Sequence, residues 1–312
     1  MRNHMPTCCA TTSTNKDNAD ASLIYATADG EITASCSVWW RRTPLLDGKP
    51  TGYIGHYAAE DEESGRAILQ AAVEQLRAHK CVHAIGPIDG STWRQYRFIT
   101  ATSDAPLFLF ETANPVNWPL HFLRSGFDVC AKYTSALNED LTIRDPRARD
   151  AGERLARMGV SVRAFDLKRS DEELGSILKL SRQAFAENFL YSDISDDEFF
   201  EKYRALLPIV IPELILMMEY RGELVGYAIS VPNVAKFSIP GCAILKTLAR
   251  QPRPEFAGAG SCLMDLVHQR AEELGFSSVI HAFMIEDNHS RKISDRTALC
   301  IREYSLFSRK IA

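Results

Sequence analysis

Residues 243–288 read AILKTLARQPRPEFAGAGSCLMDLVHQRAEELGFSSVIHAFMIEDN, and the fold is decided there. Residues 243–249 are an apolar run of strand length, closed by Pro252 and Pro254, which cannot continue a ladder. After Gly258, Gly260 and Ser261, the apolar residues Leu263, Leu266, Val267, Ala271 and Leu274 recur at helical spacing, and Gly275 stops the helix. Residues 278–285 make a second strand. A parallel strand-helix-strand unit with a Gly-x-Gly-Ser turn at its helix N-terminus is thereby predicted. Free backbone N–H groups and the helix dipole favour an anion there, typically a phosphate or pyrophosphate.

Working outward, residues 161–167 form a strand, and Leu174, Ile177, Leu178, Phe185 and Phe189 an amphipathic helix. A shorter helix over 198–206 leads to a hairpin of strands 214–220 and 224–231 around Arg221-Gly222. After Asn288 come a short helix and a final strand over 298–307. The first half has the same order. Strands over 22–28, 32–40 and 51–58 precede a helix marked by Ile68, Leu69, Val73 and Leu76, then a strand over 81–85. Where the second half has AGAGS the first has AAEDEESGR, whose acidic residues repel a phosphate. Residues 130–136 look like the last strand of this half, and 145–158 a linker helix.

The unit around residue 258 resembles the acyl-donor site of the GNAT superfamily of N-acetyltransferases. That family's loop often reads Arg or Gln, two variable residues, Gly, one variable residue, then Gly or Ala. Gly258 and Gly260 match in register, and Asn288 stands where the family often has an asparagine near the cofactor. Glu255 occupies the Arg or Gln position, and a carboxylate beside a pyrophosphate is repulsive. The resemblance extends in element order over residues 22–312, and the 86–127 segment is similar to bacterial tandem acetyltransferase-like proteins. It implies an α/β tandem GNAT fold of two mixed sheets flanked by helices. The expected layout is a mobile tail over 1–21, a degenerate GNAT-like domain over 22–140, a linker over 141–159 and an acyltransferase domain over 160–312.

By the same resemblance two parallel strands splay and admit the pantetheine arm of an acyl thioester. Leu248 and Ala249 would then line the arm, with Arg250, Arg253, Gly258, Ala259, Gly260, Ser261 and Asn288 completing the donor site. The donor is acyl coenzyme A or, because Glu255 disfavours a pyrophosphate, phosphopantetheine on an acyl carrier protein. In the second case Arg250, Arg253, Arg291 and Lys292 would meet an acidic carrier surface. The acceptor is the amine of a small molecule, such as a secondary metabolite. Proton transfer falls to His281, Glu286 or Tyr304, the last replacing a tyrosine that many family members carry on the helix after the second strand. Asp287 suits a helix cap, Glu219 is a weaker base, and Cys262 reads as helix packing. Trp93, Arg94, Tyr96 and Arg97 either line a binding surface or cover the end of a sheet. The alternatives are a non-catalytic binding module and an aminoacyl-tRNA-dependent amide-forming transferase.

Composition narrows these readings. A net charge of -4 argues against broad nucleic-acid binding and so against a tRNA donor. Eight cysteines without a CxxC pair read as reduced residues of a cytoplasmic protein without a metal site. No secretory signal opens the sequence, and the run over 206–218, broken by two prolines and Glu213, does not read as a membrane span.

Overall fold

The computed structural model describes residues 7–11, 16–236, 238–286 and 288–312. Its strands are β1 Thr7–Thr11, β2 Ala21–Ala26, β3 Ile32–Trp39, β4 Thr51–Ala59, β5 His83–Gly86, β6 Phe98–Thr102 and β7 Asp128–Asn138 in the first half. The second half contributes β8 Val160–Ala164, β9 Ile215–Tyr220, β10 Glu223–Pro232, β11 Cys242–Arg250, β12 Ser278–Ile285 and β13 Leu299–Lys310. The helices are α1 Glu62–Ala78, α2 Trp118–Arg124, α3 Pro146–Arg157, α4 Ser170–Phe185, α5 Asp196–Arg204, α6 Ala259–Glu273 and α7 His289–Ser294.

The two expected sheets are joined edge to edge into one mixed sheet, ordered β1-β2-β3-β4-β5-β13-β7-β12-β11-β10-β9-β8, with β6 beside β13. The joint exchanges strands between the halves. β13, the end of the chain, pairs with β5 and β6 of the first half on one edge and with β7 on the other. β7 in turn pairs with β12 of the second half. Within the stretch expected as a tail, residues 7–11 form β1 antiparallel to β2.

Helices cover the sheet where their apolar stripes meet it. On α6 the side chains of Leu263, Met264, Val267 and Ala271 are buried against β10, β11 and the linker helix α3. Each large apolar side chain there is worth roughly 1.5–3 kcal/mol of burial. α4 and α5 pack Leu174, Ile177, Leu178, Phe199 and Tyr203 on the opposite face, over Met217, Tyr227 and Ile229. α1 closes the first half with Ile68, Leu69, Val73 and Leu76. Its N-terminus is capped by Asp61, which accepts from the Ser64 N–H at 2.8 Å. A carboxylate of the chain already occupies the place where an anion would sit in this half.

Candidate active site

Both halves contain a pair of parallel strands that begin bonded and then part. β11 and β12 are paired from Cys242↔Ser278 to Leu245↔His281, and the ladder ends there. β4 and β5 end likewise at Tyr53↔Ile85. Beside each gap the backbone is irregular. The β10–β11 register runs Ile229↔Thr247 and then Ser230↔Leu245, so Lys246 is the extra residue of a bulge. A bulge re-aims a side chain, and consecutive residues Lys246 and Thr247 both face one cavity. Across the gap the β12–β7 register also shifts, and Phe283 takes a left-handed φ of 60° that an aromatic residue rarely adopts. In the first half the register shift between β3 and β4 falls opposite His56, at φ 46°.

The cavity between the halves has a volume of about 790 Å³. Lys246, Thr247, Phe283 and Ile285 form its floor at the mouth of the β11–β12 gap. Trp93 to Phe98 and Phe110 to Asn114 wall it from the first half, and Phe185, Phe189, Lys202 and Tyr203 from the second. Two lysines line this space. Burial, with Arg97 nearby, pushes the Lys246 ammonium down to about 8. Its Nζ lies 5.3 Å and 5.4 Å from the ring centres of Phe110 and Tyr203. Lys202 donates to the Trp93 carbonyl and is also pushed down to about 8, by burial first and then by Lys246.

A buried network stiffens the opposite wall. Glu111 accepts from Arg302 Nε at 2.8 Å and from the Tyr304 hydroxyl at 2.5 Å. The Tyr304 hydroxyl also meets Ser135 Oγ at 3.0 Å. Near the first-half gap His56 contacts Asp17 at 2.8 Å and Ser37 Oγ at 3.0 Å.

No family model matches the sequence. Among curated proteins, a bacterial ceramide synthase from Caulobacter vibrioides (strain NA1000 / CB15N) is 26% identical over 222 residues, which are 70% of this chain and 58% of that protein. This chain therefore matches little more than half the length of that relative. A probable N-acyltransferase from Enterococcus faecalis V583 superposes with a TM-score of 0.57 at 11% identity, over 99% of this chain and 73% of its own. A GCN5-related N-acetyltransferase from Sphaerobacter thermophilus gives 0.52 at 14% identity, over 93% and 80%. A tandem GNAT protein from the clavulanic acid biosynthesis pathway gives 0.50 at 16%, over 94% and 83%.

The chain has the tandem GNAT fold.

Within that fold the expected donor residues have differing surroundings. Gly258 caps α6 in a left-handed conformation (φ 82°) without a side-chain cap, which leaves the leading N–H groups of Ala259, Gly260 and Ser261 unclaimed by any cap. A Cβ on Gly260 would lie 3.6 Å from Ile293 and 3.8 Å from Leu248, so these two side chains flank the turn beside the gap. Ala249, by contrast, is buried on the α4 side with Tyr227 and does not face α6. Glu255 is ion-paired with Arg253 at 2.7 Å, and a hydrogen bond with its own backbone together with Arg253 keeps its carboxyl below the usual range. The charge that opposed a pyrophosphate is thereby compensated. Arg253 also stacks on Phe256, and Arg250 braces the loop through the carbonyls of Gln251 and Arg253. Of the outer basic residues, Arg291 is tied to Asp295 at 2.6 Å and Lys292 is exposed.

The expected proton-transfer residues are dispersed. His281 is buried on the α6 side of β12, where Nε2 meets His268 Nε2 at 2.8 Å and Nδ1 meets Ser294 Oγ at 2.7 Å. It does not line the cavity, and burial holds its pKa far below the ordinary value, so it stays neutral in the core. Glu286 is exposed beyond the end of β12 and outside the cavity lining. Tyr304 does line the cavity, but burial and Glu111 raise its pKa far above the usual phenol range. Such a phenol holds its proton against a thiolate, which is the weaker base. Asn288 lines the cavity edge, while Asp287 lies outside the described residues. Glu219 is spent on Arg163 at 2.7 Å, and Cys262 is buried beside Gly152 with its thiol pushed up to about 11, a packing residue. Among the described residues no cluster of ligands able to hold a metal occurs, and no helix is long and apolar enough to cross a membrane.

The residues that sequence reasoning missed are Lys246, Lys202 and Glu111. Two of them carried a signal. Lys246 is the lone charge in an apolar strand, and Glu111 follows the run PLFLF.

Proposed function

We propose that this chain is an N-acyltransferase that moves an acyl group from a phosphopantetheine thioester to the amine of a small, partly apolar acceptor held in the cavity between the halves. The observation that carries the reading is the end of the β11–β12 ladder at Leu245↔His281, which opens directly onto Lys246, Thr247 and Phe283. A pantetheine arm laid in that gap finds unpaired strand backbone on both sides, and its thioester reaches the acceptor cavity. Coenzyme A is favoured over a carrier protein because Arg253 compensates Glu255 and the N-terminus of α6 is left uncapped. The bond that forms joins the acceptor nitrogen to the acyl carbon, the C–S bond breaks, and the departing thiolate takes the second proton that the nitrogen sheds as the amide forms. Positioning of the two reactants supplies most of the acceleration. The proton lost by the acceptor ammonium goes to Lys246, whose pKa of about 8 lets it act as a base near neutrality. The similarity to a ceramide synthase supports an acceptor with a long alkyl chain, which the aromatic cavity wall suits.

The test is thiol release from acyl coenzyme A, with and without a long-chain primary amine, and with the amide product weighed by mass spectrometry. Amine-dependent release is expected, with kcat/KM about 100-fold lower in Lys246→Met. Release from an acyl carrier protein alone would reverse the choice of donor. Absence of amide with either donor would sink the proposal in favour of a binding module.

A further inference from the structure

Four Lys and Arg side chains line the cavity; Arg94 is paired with Glu198 at 2.8 Å, and no carboxylate pairs with Arg97, Lys202 or Lys246 among the described residues. Lys202 and Lys246 can relieve that state by releasing a proton. Arg97 cannot, because a guanidinium stays charged throughout the range in which proteins fold. Its Cζ sits 4.1 Å from the ring centre of Phe283, 4.2 Å from Tyr96, 5.0 Å from Tyr133 and 5.3 Å from Tyr304. The rings hold the guanidinium and cover its faces, but they do not satisfy its N–H edge. Nη1 is buried with no hydrogen-bond partner. The carboxylate on the same wall, Glu111, is saturated by Arg302 and Tyr304. The backbone is also committed to this placement. Arg97 holds a left-handed φ of 69°, with its own N–H bonded to the Pro87 carbonyl at 2.9 Å. A conformation that costs about 1–3 kcal/mol in a non-glycine residue is kept where it aims the side chain into the site.

We infer that Arg97 is the binding group for an anionic substituent, a carboxylate or a phosphate, on the molecule that enters this cavity. The planar fork of a guanidinium matches both anions, and the dry aromatic surround strengthens the contact. Resting on the proposed acyl transfer, the inference makes the acceptor an amphiphile with an amine, an anion and an apolar portion. Tyr96 and Phe283, which clasp the guanidinium, would then fix the anion at one end and leave the rest of the acceptor toward Lys246.

Binding can be read without any donor or turnover, so its outcome is independent of whether acyl transfer is observed. The full chain would be titrated with decanoate, decyl phosphate and the uncharged decanamide, followed by calorimetry. At least one anion is expected to bind about 10-fold or more tightly than decanamide, and the tighter of the two names the anion class. In Arg97→Gln that preference disappears while decanamide binding and the thermal midpoint are unchanged; Arg97→Lys retains part of it. Equal affinity for all three probes, no binding of either anion, or a preference that survives Arg97→Gln would overturn the inference.

Discussion

At the residue scale, the site is a set of charges whose costs are met in different ways. Lys246 sits among Phe110, Tyr203 and Arg97 with no counter-ion among the described residues, a position that favours its neutral form. Activity that depends on neutral Lys246 rises with pH through about 8 and then levels, so a kcat/KM profile of the wild type is expected to show that limb and Lys246→Met to lack it. The same substitution removes a buried cation and is expected to stabilise the fold by on the order of 1–3 kcal/mol in urea unfolding at pH 7. A variant that loses both activity and stability would mark Lys246 as structural. The His268–His281 pair gives a second pH effect. Burial holds His268 down at about 4 in the fold, against the ordinary 6.5 it regains when unfolded. Below 6.5 the unfolded chain takes up the proton first, so stability present at neutral pH is lost as pH falls toward 4. For His268 alone the loss is about 2 kcal/mol by pH 5. Urea unfolding of the wild type and His268→Gln at pH 7.5 and 5 measures it, and an equally steep loss in the variant would contradict the assignment.

At the element scale, the strand-turn-helix-strand unit over 243–288 was legible because each element carries its own signal. The turn glycines were legible for a second reason. Gly258 needs its positive φ, and a Cβ there would come 2.6 Å from the Ala151 Cβ of α3. Gly258→Ala is therefore expected to cost about 1–3 kcal/mol, read as a lowered thermal midpoint, with donor affinity reduced as the turn shifts. An unchanged midpoint would mean that α3 yields freely. What sequence periodicity could not show is the bulge. A single extra residue at Lys246 looks like any other strand position, and it is the missing partner on β10 that turns it into the cavity. The strand histidine was legible as a candidate, but its partners were not, because His268 and Ser294 come from α6 and α7.

At the scale of the whole molecule, the halves share their terminal strands. β13 is bonded to β5, β6 and β7, and β7 to β12, so neither half closes its sheet from its own continuous stretch of chain. Pairings between strands more than a hundred residues apart leave no local trace in sequence, which is why the expected layout of two separate domains did not show them. A chain ending at residue 298 is expected to lose cooperative unfolding of both halves, whereas independent modules would leave one of them folded; differential scanning calorimetry distinguishes these. The same joint brings the two strand gaps to one cavity, and only the β11–β12 gap has an uncapped glycine turn beside it. The most direct test of the account is a crystal structure of the protein soaked with coenzyme A. The account predicts the pantetheine arm between β11 and β12, the thiol at the mouth of the cavity beside Lys246, and the pyrophosphate at residues 258–261. An arm lodged instead between β4 and β5, beside His56, would contradict it.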